Sequence, residues 1–224
     1  MSRQKNMKKR NEILSIAFIL FSKKEYNEVA MKDIADNAHI SKSLLQYYFP
    51  QKKDIVAIML TDLLQKSFEY IDYRFVNIKN IHLKLSVYTN LFFSAIFKQD
   101  HLKKFINNVI RNEDLLDLWI NIVNDWLDVL DDTKLKNDIK DHYLIALTFS
   151  MSGGSKLLSK DNLEVSGKYI ARIMIITFMN ISDNSNSEIG QIIEQTEDLV
   201  TNTNIKDFEE YYQKRLIWYV NKEE

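Results

Sequence analysis

Apolar residues recur at three- and four-residue intervals along most of this chain, the spacing of amphipathic helices. Over residues 8–24 the stripe is Ile13, Ala17, Leu20 and Phe21, widened by Leu14 and Phe18. Two short segments follow, 32–38 and 41–47, joined at Ala38-His39. In the first, Ile34 and Ala35 read as inward-facing; in the second, Leu45 does. Ser41 precedes the second segment, where its hydroxyl can accept from the first turn of backbone N–H groups. Pro50 follows it and stops it, since the residue before a proline is pushed out of the helical region.

Longer helices are predicted beyond. Residues 52–75 carry Ile55, Met59, Leu63 and Leu64 on one face, and 81–98 carry Leu85, Tyr88, Leu91, Phe92, Ala95 and Ile96. Residues 101–112 form a short helix, and 114–130 show Leu115, Trp119, Ile122, Trp126 and Leu130. Over 134–158 the face is Ile139, Tyr143, Leu147 and Met151, then Gly153-Gly154, a bend or a close helix approach. Residues 164–181 contain an apolar run broken only by Arg172. The polar segment 182–187 is a loop, and 188–200 and 205–221 close the chain as two amphipathic helices. Residues 1–10 are polar and basic, and are expected to be partly disordered without a partner. No strand is predicted. The fold class is all-α: an N-terminal three-helix helix-turn-helix domain over residues 1–51 and a larger helical body over 52–224.

The two short helices around a tight turn form a helix-turn-helix, whose second helix enters the major groove of DNA. Ala17, Leu20, Phe21, Tyr26, Ile34, Ala35, Ala38, Ser41, Leu45, Tyr48, Phe49, Lys52 and Ile55 also fall in register with a longer pattern of fixed spacing. In these residues the chain resembles the DNA-binding domain of the tetracycline-repressor (TetR) family of bacterial transcription regulators. The resemblance covers about the first quarter of the sequence. Departures from the pattern are informative. Glu25 and His39 stand where Gly is usual, Ala30 where a capping Thr or Ser is usual, Ser43 where Gly is usual and Gln46 where Tyr is usual. Two of these lie on the reading helix, so the preferred DNA sequence does not carry over.

Charge supports a nucleic-acid partner only once it is divided. The net formal charge is −1, but residues 1–53 hold eleven Lys/Arg against five Asp/Glu, while the remainder holds nineteen against twenty-six. A basic pole therefore sits on the motif, ahead of an acidic body, and phosphate neutralisation needs only the local patch. Lys42, Ser43, Leu44, Gln46 and Tyr47 face outward on the second helix and are the base-reading candidates. Gln46 can pair with adenine, Lys42 can donate to guanine, and Leu44 and Tyr47 can meet a thymine methyl. Lys32, Ser41, Tyr48 and Lys52 are phosphate candidates; for Tyr48 and Lys52 the resemblance implies that role.

In the body, the resemblance implies an effector pocket and a two-fold dimer made by two late helices of each subunit, here 134–158 and 164–181. Tyr88, Phe92, Arg111, Trp119, Trp126, His142, Tyr143, Met174 and Phe178 are the pocket candidates, which favours a hydrophobic or aromatic small molecule. Aromatic and Met residues at this spacing serve equally well as plain core.

Enzyme chemistry finds no support. The four His are scattered, none has a Glu three residues before it, and phosphate-loop and nucleophile-elbow motifs are missing. No cofactor or metal is expected. The absence of Cys rules out disulfides and suits a reducing cytoplasm. No segment approaches the ~20 apolar residues of a membrane span. The expected function is a dimeric, ligand-responsive DNA-binding regulator, a repressor released from a near-palindromic operator. The alternative is a helical adaptor whose basic N-terminal pole meets a membrane or a protein partner.

Overall fold

The computed structural model describes residues 2–130, 137–158, 160, 166–182 and 184–219; side chains of 2–5 and 137–141 are not described. Among these residues there are α-helices and one 3₁₀ turn, and no strand. In chain order they are α1 (Ser2–Phe21), the 3₁₀ turn (Tyr26–Glu28), α2 (Met31–Asn37), α3 (Lys42–Tyr48), α4 (Lys52–Arg74) and α5 (Ile81–Ile96). They continue as α6 (Asp100–Ile110), α7 (Glu113–Leu130), α8 (Asn137–Leu158), α9 (Gly167–Ile181), α10 (Asn186–Thr201) and α11 (Ile205–Gln213).

Most boundaries fall within a few residues of the periodicity reading, with three physical differences. The basic start of the chain, expected to be partly disordered, is helical from Ser2. Gly153 and Gly154 do not interrupt the helix; α8 is continuous through them. Gly154 serves instead for close approach, because a Cβ there would come within 2.4 Å of Met174 Sδ. The third difference is at the end of the described chain, where 205–221 is not one helix. After Gln213 the backbone leaves the helix and turns inward.

That inward turn buries a large residue. Trp218 is fully enclosed, with its ring 5.1 Å from Phe18 of α1 and 5.9 Å from Phe105 of α6. Its indole N–H donates to Asp62 of α4 at 3.2 Å. Tyr219 packs 5.4 Å from Phe18, and its hydroxyl donates to Gln99 at 2.7 Å and lies 2.8 Å from His101 Nε2. A continued helix would have turned Trp218 away from the face that carries Phe208 and Tyr212. Burying the indole among aromatic rings outweighs the lost turn of helix. The segment Leu216–Tyr219 thus straps the first helix of the chain to α4 and α6.

Helix α5 is the axis of the body. Every residue from Leu83 to Phe93 is buried, because α4, α7, α9, α10 and α11 pack around it. Two of its buried polar groups are paired across helices. Thr196 donates to Ser86 at 2.8 Å, and Lys84 meets Asp72 at 2.8 Å. The apolar core is continuous from Ile13 of α1 to Phe178 of α9.

Candidate nucleic-acid interface

The interface is built on the turn between α2 and α3. The amide of Ile40 donates to Ala35 O at 3.0 Å, and that of His39 donates to Asp36 O at 3.2 Å. This pair closes a Schellman motif, which requires one residue in the left-handed region. His39 takes it, with φ of 52°. Lys9, reaching from α1, donates to Ala38 O at 3.1 Å and so places a cation at the C-terminal end of α2. A left-handed L-residue is strained, so His39→Gly is expected to raise stability by roughly 0.5–1 kcal/mol. Thermal denaturation checks this, and a lower melting temperature would mean that the imidazole makes a contact worth more than the strain.

At the other end of α2, Ala30 has no side chain to cap with. Asp33 compensates by accepting from the Ala30 amide at 2.8 Å. Asp54 does the same for Gln51 at the start of α4, also at 2.8 Å. For α3, the Ser41 hydroxyl accepts from Leu44 N–H at 3.1 Å, as its position predicts.

Helix α3 buries only Leu45. Lys42, Ser43, Leu44, Gln46 and Tyr47 are all exposed, so the five base-reading candidates form one solvent-facing surface. Tyr47 is 73% exposed and leans edge-on against Tyr48 at 5.6 Å. Tyr48 is half-buried, which leaves part of its ring in the core and part at the rim. Lys32 is exposed on α2. An α-helix with one buried residue and a row of donors and an aromatic ring on its free side suits insertion into a major groove.

Lys52, a phosphate candidate, has a structural duty as well: its ammonium donates to Tyr26 O at 2.6 Å and Val29 O at 2.8 Å, and lies 4.0 Å over the Tyr26 ring. Desolvation by burial lowers its pKa, with Asp33 acting in the opposite sense. Two of its three N–H groups are therefore spent on holding the 3₁₀ turn to α4.

Helix α6 couples this domain to the body. Asn108 of α6 is buried, accepts from Tyr26 N–H at 2.8 Å, and donates to Phe21 O at 2.8 Å and Lys24 O at 3.0 Å. Beside it, Glu25 bonds Lys104 and lies 3.2 Å from Arg111. The Lys104 hydrogen bond leads in holding the Glu25 carboxyl below its usual range, despite some desolvation. The one available signal was Glu25 itself, a charge where the pattern has Gly. Arg111, expected at an effector pocket, belongs to this clamp instead.

The remaining pocket candidates divide. Tyr88, Trp119, Met174 and Phe178 line a cavity of about 30 Å³ between α5, α7, α8 and α9. Phe92 packs 5.4 Å from Tyr88 and 5.5 Å from Trp119, behind that wall. Trp126 is closed core: it stacks on Phe68 at 4.4 Å and donates to Asp72 at 3.0 Å. Tyr143 packs on Phe178 at 5.8 Å without lining the cavity, and His142 is exposed on α8.

Residues 13–58 match the family model described as bacterial regulatory proteins, tetR family. The chain carries the TetR-family DNA-binding domain. That match supports a DNA-binding transcriptional regulator, and α3 with its exposed row lies inside the matched span. Among solved structures, a TetR-family transcriptional regulator from Bordetella parapertussis 12822 aligns with 76% of this chain and 94% of its own, at 20% identity and a TM-score of 0.44. No curated protein matches the sequence significantly. Among the described residues no helix is long and apolar enough to cross a membrane, and no group of His and acidic residues could hold a metal ion.

Proposed function

We propose that this TetR-type regulator acts as a homodimer, a repressor that a small hydrophobic or aromatic effector releases from a near-palindromic operator. The exposed row on α3 carries the DNA half of the reading: Lys42 and Gln46, one helical turn apart, supply donors, and Tyr47 supplies an aromatic face. Lys32, Ser41 and Tyr48 would hold the flanking phosphates.

The dimer half rests on α8 and α9. These helices pack on each other, yet Leu144, Ile145, Phe149, Leu157, Tyr169 and Ile173 remain exposed on them. Phe149 is 67% exposed, and one turn away Gly153 opens onto empty space. In a two-fold arrangement each subunit would set its Phe149 near the partner's missing side chain, so knob and notch would lie on the same surface. Such a dimer places its reading helices about one DNA turn apart, roughly 34–36 Å. An effector shifts the operator equilibrium only by its differential affinity for the two arrangements. The Asn108 and Glu25 clamp on α6 gives a path for that shift to reach the TetR-type domain.

Selection of bound sequences from random duplex DNA, at two salt concentrations, tests the reading. A palindrome with half-sites one turn apart, and affinity that falls steeply with salt, is the expected result. Salt-sensitive binding with no enriched sequence would favour the adaptor reading and sink this one.

A further inference from the structure

The cavity behind α5 is lined without a single charged side chain: Leu85, Phe93, Trp119, Val123, Leu147 and Phe178 make half of its wall. Three lining residues carry hydroxyls. Thr89 spends its proton on Leu85 O at 2.8 Å, and Ser150 spends its own on Leu147 O at 3.2 Å. Tyr88 differs. Its hydroxyl is sealed from solvent, and its proton has no acceptor within hydrogen-bond reach. Burial pushes the phenol far above its ordinary range, with a hydrogen-bonding approach of the Trp119 indole to its oxygen acting in the opposite sense. The group is therefore a neutral donor left unused, a condition that a fold seldom retains without reason.

We propose that this cavity takes a neutral, flat aromatic molecule bearing one hydrogen-bond acceptor, and that the Tyr88 hydroxyl donates to that acceptor. As to what the binding achieves, this inference rests on the regulator reading above. A charged ligand is disfavoured, because no opposite charge lines the cavity to offset its desolvation. A purely apolar ligand would leave the Tyr88 hydroxyl as it is now.

The present volume of about 30 Å³ suits a water molecule rather than a ring. Room comes from Met151 and Met174, unbranched side chains that repack easily. Met174 also lines the outer groove between α8 and α9, together with Phe149, Gly153 and Ile173. It is the partition between the inner cavity and the face proposed for the second subunit. A ligand that enters must move Met174, and the side chain then alters the surface on which the subunits meet.

The test uses the full chain and three probes: acetophenone, which has a ring and one acceptor; ethylbenzene, which lacks the acceptor; and benzoate, which is charged. Calorimetric titration of the wild type should give acetophenone roughly five- to tenfold tighter binding than ethylbenzene. Benzoate should give none. In Tyr88→Phe the preference should fall to about one, while the variant melts at or above the wild-type temperature because an unsatisfied hydroxyl has been removed. Three results would overturn the proposal: no binding of any probe to the wild type, an unchanged preference in Tyr88→Phe, or benzoate as the tightest probe. Titration without DNA keeps the two readings apart. Lost probe binding with intact operator selection sinks only this inference, and probe binding with no operator sinks only the regulator reading.

Discussion

Alanine at Lys42, Gln46 and Tyr47 together is expected to abolish selective operator binding while leaving the fold intact. Each well-placed base contact is worth ~1–3 kcal/mol, so losing two or three lowers operator affinity on the order of 10²–10⁴-fold. All three side chains are exposed and only Leu45 of α3 is buried, so the melting temperature should stay close to that of the parent. Gel-shift titration against the selected palindrome, with a scrambled duplex alongside, reads the effect. Undiminished discrimination between the two duplexes would remove α3 from the reading role. The single variants separate the duties. Lys42→Ala should lower the salt slope by about one if Lys42 meets a phosphate, and should relax one position of the site if it meets a base. Gln46→Ala should leave the salt slope unchanged.

Trp218→Ala should cost ~3–5 kcal/mol of stability, since a large enclosed aromatic is removed and the void lies where Phe18 and Phe105 meet. Urea denaturation measures it, and a loss below about 1 kcal/mol would show that the strap is peripheral. Trp218→Phe separates packing from hydrogen bonding. It keeps a ring between Phe18 and Phe105 but leaves Asp62 without its indole donor. Burial already raises the Asp62 pKa, against the lowering effects of the Trp218 hydrogen bond, Arg10 and Lys66. Without that donor the folded-state value rises further, so ionised Asp62 costs the folded state more. The phenylalanine penalty should therefore be complete at neutral pH, where Asp62 is ionised, and shrink as pH falls into the range where it is protonated.

The exposed face of α3 was legible because its signals are local. Ser41 caps within its own turn, Leu45 is the lone inward residue of a two-turn helix, and both follow from spacing. His39 in the left-handed region was equally legible from the turn it occupies. What escaped depends on pairs distant in sequence. Lys52 stands at a helix start, and nothing in the spacing announces that the carbonyls of Tyr26 and Val29 also hold its ammonium. Arg111 looked like a polar group near an aromatic body, and Glu25 claims it. Residues 214–219 keep a helical apolar rhythm, but the space beside Phe18 draws Trp218 out of that rhythm. No periodicity encodes Asn108 as a clamp, because its three partners are backbone groups of a segment more than 80 residues away.

The strap has a consequence for how the protein is made. Asp62 and Trp218 are separated by 156 residues. At typical ribosomal speeds of about 5–20 residues per second, roughly 10–30 s pass between the synthesis of the two. For that interval the aromatic face of α1 has been made but its covering indole has not. A reading head able to meet DNA could therefore exist on the nascent chain before its orientation is locked. Pausing of the ribosome within the body would lengthen the exposure of Phe18 and Phe105, and holdase chaperones would find their binding site there.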